Sequence, residues 1–218
     1  MRGDTRKFLS EALGSDQATY SPHELYSLFL RTTGRESGAS SESHFRGMMG
    51  RISDRGLAVS IFRGCWIFPD AEIMVRLSER YEAPWIIASD GLRRAGYEGN
   101  IGGFDILYDS GEINVPPVRK VIFASCRSMI HIRGELRRYS GNSISLDMTA
   151  VPRTGAGQGP GLEKRLFEKT WCCCSTPGRA REEALWLARS SWGKKTGLSG
   201  QEMLIGEMDE ENTRFLGM

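Results

Sequence analysis

A chain of 218 residues, 39% hydrophobic and 26% charged, has a globular composition that excludes the disordered and collagen-like classes and suits one two-part domain or two small ones. Its 29 Lys and Arg against 27 Asp and Glu leave a net charge of +2, so a nucleic-acid partner would have to be met by a local cluster of cations. No apolar run is long enough to cross a bilayer, and Met1-Arg2-Gly3-Asp4-Thr5-Arg6-Lys7 is not followed by a hydrophobic signal segment, which together predict a cytoplasmic protein with no membrane partner.

The first helix is expected from about Asp4 to Leu13, with Phe8, Leu9, Ala12 and Leu13 as its apolar stripe and Gly14 as its stop. The second has a stronger start. Ser21-Pro22-His23-Glu24 places Ser at the N-cap, Pro at the first helical position and Glu two residues on, so that side chains and orphan amides can satisfy each other. Leu25, Leu28, Phe29 and Thr32 follow at helical spacing, and Gly34 ends the run. Arg35 to Ser41 reads as a polar turn. A third helix then runs from about Glu42 to Arg55, with Phe45, Met48, Met49 and Ile52 on one face and Gly56 at its end. Leu57–Phe62 and Cys65–Phe68 read as two short strands joined by Arg63-Gly64. Three helices followed by a hairpin is the order of a winged helix-turn-helix, expected to occupy residues 1–69.

Beyond Pro69 the pattern predicts a mixed, mainly β domain over residues 70–150. Ala71 to Tyr81 reads as a helix, Trp85-Ile86-Ile87-Ala88 as a buried strand, and Ser89 to Ala95 as a short helix closed by Gly96. Phe104, Ile106 and Tyr108 alternate like a strand, Asp109 to Glu112 form a turn, and Val118–Ala124, Met129–Arg133 and Ser143–Met148 are further strands separated in part by the turn Gly141-Asn142. Residues 151–161 are rich in Gly and Pro and read as a linker or loop. Residues 162–218 are expected to be helical. Leu162–Trp171 forms one helix, Thr176-Pro177 opens another to about Ser191, and residues 198–206 form a third before an acidic tail from Glu207. The fold class expected is therefore α+β.

The main functional candidate is the third helix with its wing. In a helix-turn-helix the second helix of the motif enters the major groove and its outer face meets base edges. That face would carry Ser43, His44, Arg46, Gly47 and Arg51. Arg pairs with guanine through two hydrogen bonds, Ser reaches either base type, and Gly lets backbone come close. Lys7, Arg31, Arg55 and the wing-tip Arg63 are candidates for phosphate contacts, which position without reading sequence. Duplex DNA is thus the expected partner. A homodimer is expected as well, because one winged helix reads few base pairs and a two-fold site multiplies discrimination. Residues 70–218 are a possible surface for a protein partner.

The segment "RISDRGLAVSIFRGCWIFPDAE" resembles the wing of the AbiEi-type antitoxins. There a recognition helix ends in a glycine turn, and a strand, an Arg-Gly pair, an aromatic residue and a Pro follow. Arg63, Gly64, Trp66 and Pro69 occupy those places, and "ATYSPHELY" is similar to the opening of the second helix in the same proteins. The resemblance covers about the first third of the chain. Further on, "VPPVRKVIFASCRSMIHIRG" is faintly similar to their strand region, and "GGFDILYDSGE" departs from it. The resemblance implies a DNA-binding transcriptional regulator or antitoxin of a phage-defence operon.

Two other classes stay open. One is a DNA-cleaving or DNA-modifying enzyme in which Asp105, Asp109 and Glu112, with Lys120 nearby, hold Mg²⁺, although no Glu-x-Lys pair follows an Asp at usable spacing. The other is a viral or structural protein that uses the winged helix for protein contacts. No catalytic residue and no cofactor is assigned. The histidines are His23, His44 and His131, without a metal-binding spacing. The cysteines are Cys65, Cys126 and the adjacent Cys172, Cys173 and Cys174, which suit neither a disulfide framework nor a tetrahedral zinc site, so no metal is expected. Gly155 to Gly161 matches neither a dinucleotide fingerprint nor a P-loop, and Trp192 to Thr196 is a small basic patch with one aromatic ring.

Overall fold

The computed structural model describes residues 3–80, 82–117, 119–137, 143–152, 162–167 and 170–198. It is α+β, as the sequence predicts. The chain divides into two compact units, one of Met1–Gly96, Ile132–Leu146 and Glu168–Thr170, the other of Tyr97–His131, Asp147–Phe167 and Trp171–Met218.

The first unit opens with α1 (Gly3–Leu13), α2 (Pro22–Thr33) and α3 (Ala39–Asp54), followed by the antiparallel hairpin β1 (Val59–Phe62) and β2 (Cys65–Ile67). The start of α2 is fixed by reciprocal capping. The Glu24 amide donates to Ser21 Oγ at 3.2 Å, and the Ser21 amide donates to Glu24 Oε2 at 2.8 Å. Gly34 ends the helix in the left-handed conformation. The hairpin pairs Val59 with Ile67 and Ser60 with Trp66, and Gly64 at its turn has a φ of 97°, a conformation that favours glycine. A third extended segment joins it, since Tyr20 and Trp66 exchange both backbone hydrogen bonds at 2.8 Å. Aromatic rings fill the space inside, with Phe68 edge-on to both Phe8 and Tyr20 and Phe45 against Phe8, Tyr26 and Phe29.

Two helices extend this unit, α4 (Glu72–Leu77) and α5 (Ala83–Arg94). Here the structure corrects the sequence reading. Trp85 to Ala88 is not a strand but the first half of α5, which continues without a break through Ser89 and ends before Gly96. Its residues from Trp85 to Leu92 are all buried, so the polar face that would have revealed a helical period is missing.

The second unit holds β3 (Gly99–Ile101), α6 (Phe104–Asp109), β4 (Lys120–Ala124), α7 (Pro177–Arg189) and α8 (Ser191–Thr196). Three longer strands, β5 (Ile130–Arg137), β6 (Ser143–Pro152) and β8 (Thr170–Ser175), straddle the division given above, and β7 (Leu162–Phe167) completes a six-stranded sheet of order β5-β6-β4-β3-β8-β7. β4 runs antiparallel to β3, with Ile101 opposite Ile122, and parallel to β6, with Ile122 opposite Ala150. β3 runs parallel to β8, Ile101 facing Cys174. Burial alternates along the first half of β6 and becomes continuous from Met148 onward, where the strand lies beside β4.

Two more expectations are overturned. Phe104, Ile106 and Tyr108 lie on the helix α6, whose first four residues are all buried. Leu162–Phe167 is the strand β7 and Thr170 begins β8, where one helix over residues 162–171 was expected. The helix α8 was not foreseen; Ser190 caps it by accepting from the Gly193 amide at 3.1 Å. Most of the Gly-rich segment, the turn Gly141-Asn142, and the helix and acidic tail expected after residue 198 lie outside the described residues.

Candidate nucleic-acid interface

The two faces of α3 differ as the hydrophobic spacing predicts. Met48, Met49 and Ile52 are buried, and Phe45 is half-buried among aromatic rings. Ser43, Arg46, Gly47 and Arg51 are exposed and fall at helical intervals, so they share one side. Arg46 donates to Glu42 Oε2 at 3.2 Å, but its side chain is 79% exposed, and such a surface pair is weak enough to yield to a phosphate or a base. The Arg51 guanidinium lies 3.5 Å from where a Cβ on Gly47 would stand, so the bare backbone at Gly47 sits beside a cation. Arg55, just past the end of α3, and Arg63, at the hairpin turn next to Gly64, are also exposed.

His44 departs from this set. It is half-buried, and its ring stacks on Phe29 with centroids 5.7 Å apart. That contact commits the ring to the aromatic cluster between α2 and α3 rather than to the outer face. Lys7 is exposed on α1, and Arg31 is exposed on α2, where it lines a cleft of about 480 Å³ together with Glu11, Tyr20, His23 and Glu24. These two cations therefore stand on elements other than the one carrying the α3 set.

Behind α2 lies a polar network that sequence reasoning missed. Asp90 on α5 is 1% exposed; it accepts from Thr19 Oγ1 at 2.6 Å, Arg93 Nη2 at 2.6 Å and Arg94 Nε at 3.0 Å. Arg94 also pairs with Glu24, the capping residue of α2. Glu24 is readable as a cap because Ser21 is three residues away, whereas Arg94 is separated from it by 70 residues and carries no local signal. Cys65, buried beside this network, has its thiol pushed up to about 12 by burial and by Asp90, so it stays protonated.

The carboxylates considered for a metal site have different surroundings. Asp105 is buried and accepts the Val121 amide at 3.1 Å, Glu112 pairs with Arg181 at 2.9 Å, and Asp109 lies exposed at the end of α6. Cys65, Cys126 and Cys174 are buried and Cys173 half-buried, with no disulfide among these four. Among the described residues, no three His, Cys, Asp or Glu side chains gather into a group able to hold a metal ion. Nor is any described helix long and apolar enough to cross a membrane. Compared with known proteins, the chain matches no family model, no curated protein and no solved structure.

Proposed function

We propose that residues 1–69, within the first unit, form a winged helix-turn-helix that binds duplex DNA selectively, α3 reading base edges and the hairpin turn contacting phosphate. The observation that carries this reading is the division of α3 into a packed face and an exposed face holding Ser43, Arg46, Gly47 and Arg51. Three features support it further. The hairpin follows α3 directly, Tyr20, between α1 and α2, pairs with Trp66 of the hairpin, and Arg63 is exposed at the hairpin turn. On this reading the protein is an intracellular transcriptional regulator or antitoxin, a role that the resemblance of its first third implies, and it acts as a homodimer because a two-fold site multiplies discrimination.

The deciding experiment incubates the pure protein with plasmid and Mg²⁺ and resolves the mixture on a gel. Retardation without cleavage is the expected result. Cleavage selects the nuclease class, and no retardation of any duplex at low salt selects a protein-binding role.

A further inference from the structure

Asp90, Arg94 and Glu24 form a chain of charges that ends on the first turn of α2. Arg94 Nε donates to Asp90 Oδ2 at 3.0 Å while its Nη1 donates to Glu24 Oε1 at 2.5 Å. The planar guanidinium presents its donors in a fixed fork, so it serves two carboxylates at once, which a lysine ammonium cannot do in the same geometry. Both ends of the clamp are themselves tied down. The other oxygen of Glu24, Oε2, accepts the Ser21 amide that closes the capping box. Asp90 Oδ2 also accepts from Thr19, the residue before Tyr20, whose backbone is bonded to Trp66 of β2. One head group, 16% exposed, thus connects the segment paired with the hairpin to the start of the helix that packs on α3. Phosphate contacts through long cations tolerate a tilt of α3, whereas bidentate contacts to base edges do not.

We propose that Arg94 is a positioning residue for the reading face: clamped between Asp90 and Glu24, it fixes the first turn of α2 against the hairpin and thereby sets how sharply α3 discriminates sequence. The role rests on the DNA-binding reading above, and it is exercised through Glu24 rather than through DNA.

The test compares wild type with Arg94→Met and Arg94→Lys in the full chain, with Ile73→Val, a trimmed buried side chain on α4, as a stability control. The first readout needs no DNA. Hydrogen exchange in residues 19–24 is expected to rise at least fivefold in Arg94→Met, to be partly restored in Arg94→Lys, and to stay unchanged in the control. The second readout uses duplexes selected by wild type from a random library, set against unselected duplex. The ratio of the two affinities is expected to fall at least tenfold in Arg94→Met, while affinity for unselected duplex and its salt dependence change by less than twofold. Unchanged exchange, or an equal loss on both duplexes, overturns the positioning role and leaves DNA binding standing. A wild-type chain that binds no duplex overturns the DNA reading, and this role with it. If Arg94→Met does not fold, Arg94→Lys and Glu24→Gln carry the same comparison.

Discussion

Asp105 and Glu183 are both buried carboxylates, and their surroundings give them opposite tasks. Asp105 is 5% exposed, and burial pushes its pKa above the ordinary carboxylate range, against the Val121 amide and Lys120, which pull it down. A raised folded value contributes stability that is complete below the unfolded pKa and is lost as pH rises through the folded one. Asn keeps the acceptor and never ionises. Thermal melts are therefore expected to show Asp105→Asn gaining on wild type as pH rises from about 3 toward neutral, and parallel curves would mean that the carboxyl ionises without cost. Glu183, by contrast, is surrounded by donors. It accepts from Ser175 Oγ at 2.7 Å, Arg179 Nε at 3.0 Å, Asn100 Nδ2 at 3.1 Å and the Gly103 amide at 3.2 Å. A Cβ at Gly102 would fall inside this carboxylate, so the chain can pass only as glycine. Gly102→Ala is expected to cost roughly 3 kcal/mol or more, the scale of breaking a buried ion pair, as read from urea unfolding monitored by circular dichroism.

The elements themselves divide by how much local signal they carry. α2 has a Ser cap, a reciprocal Glu, a Pro at its first position and a Gly stop, and it forms where those signals place it. Ser21→Ala should destabilise the first unit by about 1 kcal/mol, because it removes the hydroxyl that accepts from the Glu24 amide and donates to the Glu24 carboxylate. Met49→Asp tests the face of α3 more severely. It buries a carboxylate among Met48, Ile52 and the aromatic rings at roughly several kcal/mol, and an unchanged melting temperature would reject the packed face. The exposed set on α3 was legible because a packed helix face implies its opposite. His44 was not, since its stacking on Phe29 depends on how α2 crosses α3. α5 and α6 were misread because burial on all sides removes the amphipathic period, and a six-residue helix such as α6 is too short to separate a period of 2 from one of 3.6. β7 was misread for another reason. Leu, Glu, Lys and Arg favour helix intrinsically, and only pairing with β8, the next strand along the chain, makes Leu162–Phe167 a strand.

At the scale of the whole molecule the charge is the constraint. A net charge of +2 is too small to draw DNA through the long-range field of the protein, so on the proposed DNA-binding reading affinity comes from a local set of cations. Arg46, Arg51, Arg55, Arg63 and Lys7 are exposed and are the candidates for that set. Each phosphate neutralised releases condensed counterion, and log affinity falls against log salt with a slope of about −0.9 per contact on duplex DNA. If three or four of these side chains meet phosphate, one protomer should show a slope of roughly −3 to −4, and a homodimer about twice that. The individual cations are distinguishable. Arg63 stands at the hairpin turn rather than on α3, so Arg63→Ala should reduce the slope by about one unit per protomer and leave sequence preference intact. Arg46 and Arg51 share the exposed side of α3 proposed to read bases, so their joint replacement by Ala should weaken selected duplex more than random duplex, with folding preserved because both lie off the packed face. Fluorescence anisotropy at several salt concentrations measures all of these on one labelled duplex pair. A flat salt dependence in wild type would remove phosphate contact from the account, and an Arg46/Arg51 double variant that still prefers the selected duplex would remove α3 as its reader.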